Sequence, residues 1–110
     1  MTDQNPEKKP SGAAKHFGDL APGLVHFTDD VLFGEVWKRP ELSPRDRSLV
    51  TVACLATNGS TDQLVYHIGL AQENGCTQEE IVEALTHLAF YAGWPRAMSA
   101  MVVAKQVFAN

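Results

Sequence analysis

The chain has 110 residues, of which 45% are hydrophobic and 20% charged, and a net charge of −4. These values suit one soluble globular domain and give no basis for general binding to nucleic acid or anionic membranes. No apolar run approaches the length of a membrane span, and the polar start MTDQNPEKKPSGAAKH lacks the apolar centre of a secretory signal, so a cytoplasmic location is expected.

Residues 1–16 are rich in Pro, Lys, Ser and Gly without a periodic apolar face, and read as a flexible arm before a helical domain over 17–110. The stretch APGLVHFTDDVLFGEVW then places Leu24, Val25, Val31, Leu32, Val36 and Trp37 at helical intervals, interrupted by Gly34. A helix over roughly 22–38 is expected, stopped before Pro40.

The next segment starts with Ser43 as N-cap and Pro44 at the first helical position. From Leu49 to Ala56 nearly every residue is apolar or small, which predicts a buried helix. A helix that is apolar all round needs cover on every side, so contacts between subunits are expected. Asn58-Gly59 is a C-cap signal. Ser60 and Gln63 then have the spacing of a capping box for a helix over 61–74, whose core stripe is Leu64, Ile68 and Ala71 and which stops at Gly75. Thr77 and Glu80 form a second capping box for a helix over 77–92 with the stripe Ile81, Leu85, Leu88 and Ala92. Gly93 ends it, and Pro95 opens a last helix over 95–108. The predicted class is all-α, a single-domain helical bundle of about five to six helices.

Few residues carry chemistry. His67 lies at the edge of the Leu64/Ile68/Ala71 stripe, and His87 lies beside its own stripe with Glu83 and Tyr91 one turn away on either side. Two histidines on consecutive antiparallel helices can meet across a pocket; alternatively Glu83 holds His87 as a surface pair. Arg47 heads an almost wholly apolar helix and calls for a carboxylate, from Glu35 or Asp46 or from a ligand. Glu35, Trp37, Trp94 and Arg96 complete the set. No third ligand supports a metal site, and no serine-hydrolase elbow, P-loop or dinucleotide motif is present. Cys54 and Cys76 form neither a CxxC nor a zinc spacing and read as small apolar fillers with free thiols.

The segments GEVWKRPELSPRDRSLVTVA and HIGLAQENGCTQEEIVEALTHLAFYAGWPRAMSA resemble the carboxymuconolactone decarboxylase family, from about Val31 to the C-terminus. The resemblance implies the alkylhydroperoxidase D-like helical fold and assembly as a homo-oligomer, a trimer or hexamer, with sites at or near subunit contacts. One branch of the family, the peroxidases, carries a glutamate, a Cys-x-x-Cys pair and a histidine at the positions held here by Ser48, Ser60, Gln63 and His67. Only the histidine is kept, and thiol peroxidase chemistry needs both thiols. The decarboxylase branch is closer, in GEVW, RSL and HIGLAQENG.

Its reaction, in aromatic catabolism, converts 4-carboxymuconolactone to an enol-lactone and CO2 without metal or organic cofactor. The lactone serves as electron sink, and the protein holds an anionic substrate, stabilises an oxyanion and delivers a proton to carbon. The resemblance therefore implies His67, Arg47, His87 and Glu35 as catalytic candidates and Gln63, Trp37, Trp94 and Arg96 as substrate-binding candidates. The chain departs from that branch at Gln63, where an acidic residue is usual, and at His87, where a polar amide is usual. Two other readings stand beside a cofactor-free decarboxylase or related lyase: a redox or peroxide-related protein lacking the CxxC pair, and a non-catalytic oligomeric binding protein.

Overall fold

A computed structural model describes residues 11–110, whose contacts divide into two units, 11–40 and 41–110. The described residues are mostly helical, with six α-helices and no strand among them, in agreement with the all-α expectation.

In the first unit, α1 spans Gly12–Phe17 and α2 spans Pro22–His26. The Ser11 hydroxyl accepts from the Ala14 N–H at 3.0 Å, so α1 begins with a formed cap where the sequence suggests the end of an arm. The rest of that expected arm, residues 1–10, lies outside the described residues. The single helix expected over 22–38 is broken into α2, a π-helical stretch Phe27–Leu32 and a 3-10 turn Val36–Lys38. Local competition for backbone groups accounts for the break. The Thr28 hydroxyl donates to the Leu24 carbonyl at 2.7 Å, and the Phe33 N–H reaches back five residues to the Thr28 carbonyl at 3.0 Å, which widens the turn. Gly34 then comes so close to the Asp30 carbonyl that a side chain there would overlap it.

The second unit contains α3 (Pro44–Asn58), α4 (Thr61–Glu73), α5 (Gln78–Ala92) and α6 (Trp94–Ala109). Ser43 caps α3 as its sequence predicts, its hydroxyl accepting from the Asp46 N–H at 3.1 Å. The core is built from Val52 and Ala56 of α3, Leu64, Ile68 and Ala71 of α4, Ile81 and Leu85 of α5, and Ala100, Val103 and Ala104 of α6. The stripes predicted for α4 and for the first half of α5 are therefore the buried ones. Toward the end of α5 the buried position is Ala89, while Leu88 and Ala92 are half-buried. Helix α3 packs along α4 and also meets α5 and α6; α6 packs on both α4 and α5; α4 and α5 scarcely meet. The alanines of α6 allow it to sit close to its neighbours on both sides.

The turn between α3 and α4 differs from expectation in one respect. Gly59 adopts φ +73° and ends α3, its N–H donating to the Ala56 carbonyl at 3.1 Å and the Ser60 N–H to the Leu55 carbonyl at 2.9 Å. Ser60, with ψ 67°, makes no side-chain cap on α4, so the Ser60/Gln63 capping box is not formed. The backbone of Ser60 is committed to closing α3 and lacks the extended geometry that a capping serine needs. The Thr77/Glu80 box is formed at both contacts, 3.0 Å and 2.9 Å. Among the described residues no helix is long and apolar enough to cross a membrane.

Candidate active site

The site is best read along the α3–α4 hairpin. A hydrogen bond from Asn74 Nδ2 to Ser48 Oγ at 3.0 Å fixes its register, placing the end of α4 beside the start of α3. Ser48 is completely buried, so this contact satisfies a hydroxyl that water cannot reach. His67 lies seven residues from Asn74 and seven from Ser60, about 10 Å from either along the helix axis. It is half-buried, its Nδ1 atom is closed off from solvent, and its ring meets Tyr66 edge-on with centroids 5.0 Å apart. Burial lowers its proton affinity below the usual histidine value, so the imidazole is neutral at neutral pH.

The two arginine candidates mark the two ends of this hairpin. Arg47 stands in the first turn of α3 next to Ser48, half-buried, with its Nε atom closed off from solvent. Asp46, one carboxylate expected to pair with it, is engaged by Arg45 at 2.9 Å. Arg96, in the first turn of α6, is exposed and lays its guanidinium directly over Gly59 at the other end. Gln63 is exposed on α4, one turn before His67 and on the same face.

The remaining candidates make other contacts. His87 is exposed on α5, with its ring 5.0 Å from that of Tyr91 and no hydrogen bond to Glu83. Within one chain α4 and α5 scarcely touch, and each packs on α3 and α6, so their packing does not bring His67 and His87 together. Trp94 is exposed and meets Phe90 edge-on at 5.1 Å. Glu35 and Trp37 belong to the first unit, where Glu35 is exposed and precedes the 3-10 turn, and Trp37 is half-buried and stacks on Phe33 at 5.9 Å. An open, largely apolar groove of about 360 Å³ runs between α5 and the end of α6, lined by Val82, Met101, Ala104, Lys105, Phe108 and Ala109; it contains none of the candidates.

Two contacts were not anticipated. Arg45 forms an ion pair with Glu80, joining the starts of α3 and α5, and both groups are held in their charged forms. Nothing in the sequence pairs positions so far apart. Ser48, by contrast, leaves a signal as a hydroxyl within an apolar run. The cysteines are free thiols, Cys54 exposed and Cys76 buried, with Cys76 Sγ–H directed at the Arg45 carbonyl at 3.5 Å. Burial raises the Cys76 thiol above its usual pKa, the opposite of what a nucleophilic thiol requires. Among the described residues no group of three or more His, Cys, Asp and Glu side chains is placed to hold a metal ion.

The chain is 36% identical over 102 residues to the 4-carboxymuconolactone decarboxylase of Acinetobacter baylyi, covering 93% of this chain and 76% of that protein. It is 38% identical over 74 residues to the nitrosuccinic acid decarboxylase of Metarhizium robertsii, covering 67% of this chain and 52% of that protein, about half its length. Both relatives are decarboxylases by name, and the function they support is decarboxylase-like. Residues 22–106 match the model of the carboxymuconolactone decarboxylase family, a span that includes every candidate residue above, and the chain belongs to that family.

Proposed function

We propose that the protein is a carboxy-lyase that decarboxylates a small anionic acid without metal or organic cofactor, with His67 at its reacting centre. The observation that carries this reading is the half-buried, neutral imidazole of His67 on α4, with Arg47 at the open end of the α3–α4 hairpin and the Arg96 guanidinium of α6 over Gly59 at its closed end.

The two relatives' substrates share a substructure. In 4-carboxymuconolactone, the carbon that loses CO2 carries a CH2–COO⁻ arm and is conjugated through the ring double bond to the lactone carbonyl. In nitrosuccinic acid, the carbon bearing carboxyl and nitro groups also carries a CH2–COO⁻ arm. In each case the electron pair of the broken C–C bond flows into an oxygen-bearing sink, lactone or nitro. One proton is then taken up at carbon for each CO2 released. The proposed substrate class is therefore a carboxylic acid with a conjugated oxygen sink and a retained CH2–COO⁻ arm. Arg96 or Arg47 binds the arm by charge-assisted hydrogen bonds. His67 donates a hydrogen bond to the developing oxyanion and supplies the proton to carbon. An anionic substrate raises the proton affinity of the imidazole it touches, so the protonated form becomes accessible in the complex.

Self-association, as a trimer or hexamer in the cytoplasm, belongs to the same proposal. It is supported by large apolar side chains left open on the second unit, among them Val50 at 62%, Phe90 at 73%, Tyr91 at 78% and Met98 at 62% exposure. Light scattering on a sizing column tests it, and a clean monomer of 12.0 kDa contradicts it. The activity is tested by following CO2 release from 4-carboxymuconolactone and from 2-nitrosuccinate. Turnover of either supports the reading, and turnover of neither by the intact assembly refutes it.

A further inference from the structure

We propose that Gly59 is a positioning residue for substrate, seating the Arg96 guanidinium so that it receives the retained carboxylate arm. This rests on the decarboxylase reading above and assigns the arm to Arg96 rather than Arg47.

Two independent features meet at position 59. Its φ of +73° is a conformation that L side chains rarely adopt. Separately, a Cβ there would overlap the Arg96 guanidinium, the side chain running from Cδ to Nη1 across the glycine. The first requirement serves the turn and is met by Asn almost as well as by Gly. The second concerns Arg96: a Cβ at position 59 moves its guanidinium off this seat, whatever the turn tolerates.

Arg96 is not consumed in holding the turn. The carbonyls of Leu55 and Ala56 already accept from the Ser60 and Gly59 N–H groups. Among the described residues no carboxylate pairs with Arg96; Asp46 and Glu80 are engaged by Arg45, and Asp30 by His26. An exposed guanidinium seated on a glycine keeps N–H groups available for bidentate recognition of a carboxylate. Its position also suits the chemistry. Gly59 immediately precedes α4, whose Gln63 and His67 share one face, so the guanidinium seated on Gly59 stands at the start of the helix that carries the amide and the neutral imidazole.

The test compares wild type, Gly59→Asn, Arg96→Gln, Arg96→Lys and the Gly59→Asn/Arg96→Gln double variant. Calorimetric titration with succinate, a dicarboxylate that lacks an electron sink, reads binding without turnover; far-UV circular dichroism confirms the fold. Gly59→Asn keeps the left-handed turn while displacing the guanidinium. The expected result is about tenfold weaker succinate binding in Gly59→Asn and in Arg96→Gln, with no further loss in the double variant. Arg96→Lys, which keeps the charge but loses the flat fork, is expected to recover part of the affinity. With a turned-over substrate, the loss in Gly59→Asn is expected in KM rather than kcat. Wild-type succinate affinity in Gly59→Asn, losses that multiply in the double variant, or no succinate binding by wild type overturns the inference. Absence of CO2 release from wild type bears on the decarboxylase reading alone, since the titration judges the seat without turnover.

Discussion

Asn74 donates from Nδ2 to the hydroxyl of Ser48 at 3.0 Å, and Ser48 is wholly buried. The pair closes the open end of the α3–α4 hairpin, as Gly59 closes the other. Replacing Asn74 by Ala leaves a buried hydroxyl unsatisfied, at a cost of about 1–3 kcal/mol. Ser48→Ala in that background removes the orphaned group and is expected to restore part of the loss. Denaturant midpoints of the two single variants and the double variant measure this. A double variant whose destabilisation equals the sum of the two singles contradicts a direct contact.

His67 predicts a pH dependence of stability. Its folded-state pKa lies below the ordinary 6.5 because burial disfavours the charged ring. Between the folded and unfolded values the unfolded chain binds more protons, so stability rises with pH up to about 6.5 and is level above that point. His67→Gln is expected to flatten this rise. An unchanged slope in the variant, read from urea unfolding between pH 5 and about 7, excludes His67 as its source.

The same residue predicts different pH profiles for the two kinetic parameters. If protonated His67 supplies the proton, both kcat/KM and kcat fall as pH rises. The value governing kcat/KM belongs to the free protein and lies below the ordinary histidine value; the value governing kcat belongs to the complex and lies higher, because the anionic substrate favours the imidazolium. Coincident profiles argue against contact between His67 and the substrate.

The thiols are expected to play no part. In the native protein an alkylating reagent should modify the exposed Cys54 readily and the buried Cys76 only on unfolding. The Cys54→Ser/Cys76→Ser variant is expected to retain CO2 release and to consume peroxide no differently from wild type. Peroxide consumption that this variant abolishes supports the redox reading instead.

Much of the second unit was legible in the sequence because its signals are local. Ser43-Pro44, Gly59, Thr77/Glu80 and Gly93 punctuate the chain, and the i, i+4, i+7 stripe of α4 is the buried one. The Ser60/Gln63 spacing does not become a capping box because the Gly59-Ser60 junction also serves the end of α3, and backbone closure prevails over side-chain capping. The break within 22–38 is not legible, because apolar spacing does not register the Thr28 back-bond or the crowding at Gly34. Within the site, His67 stood out through its place beside the core stripe. The separation of His67 from His87 within one chain was not legible, since adjacency in sequence does not reveal that α4 and α5 each pack on α3 and α6 and scarcely touch.

The most direct test of the account is CO2 release from 4-carboxymuconolactone and 2-nitrosuccinate by wild type and His67→Gln, at matched assembly state and helicity. The account predicts turnover of at least one substrate by wild type and a loss of about 10²–10⁴-fold in kcat for the variant. Full activity in His67→Gln, or no turnover of either acid by wild type, contradicts it.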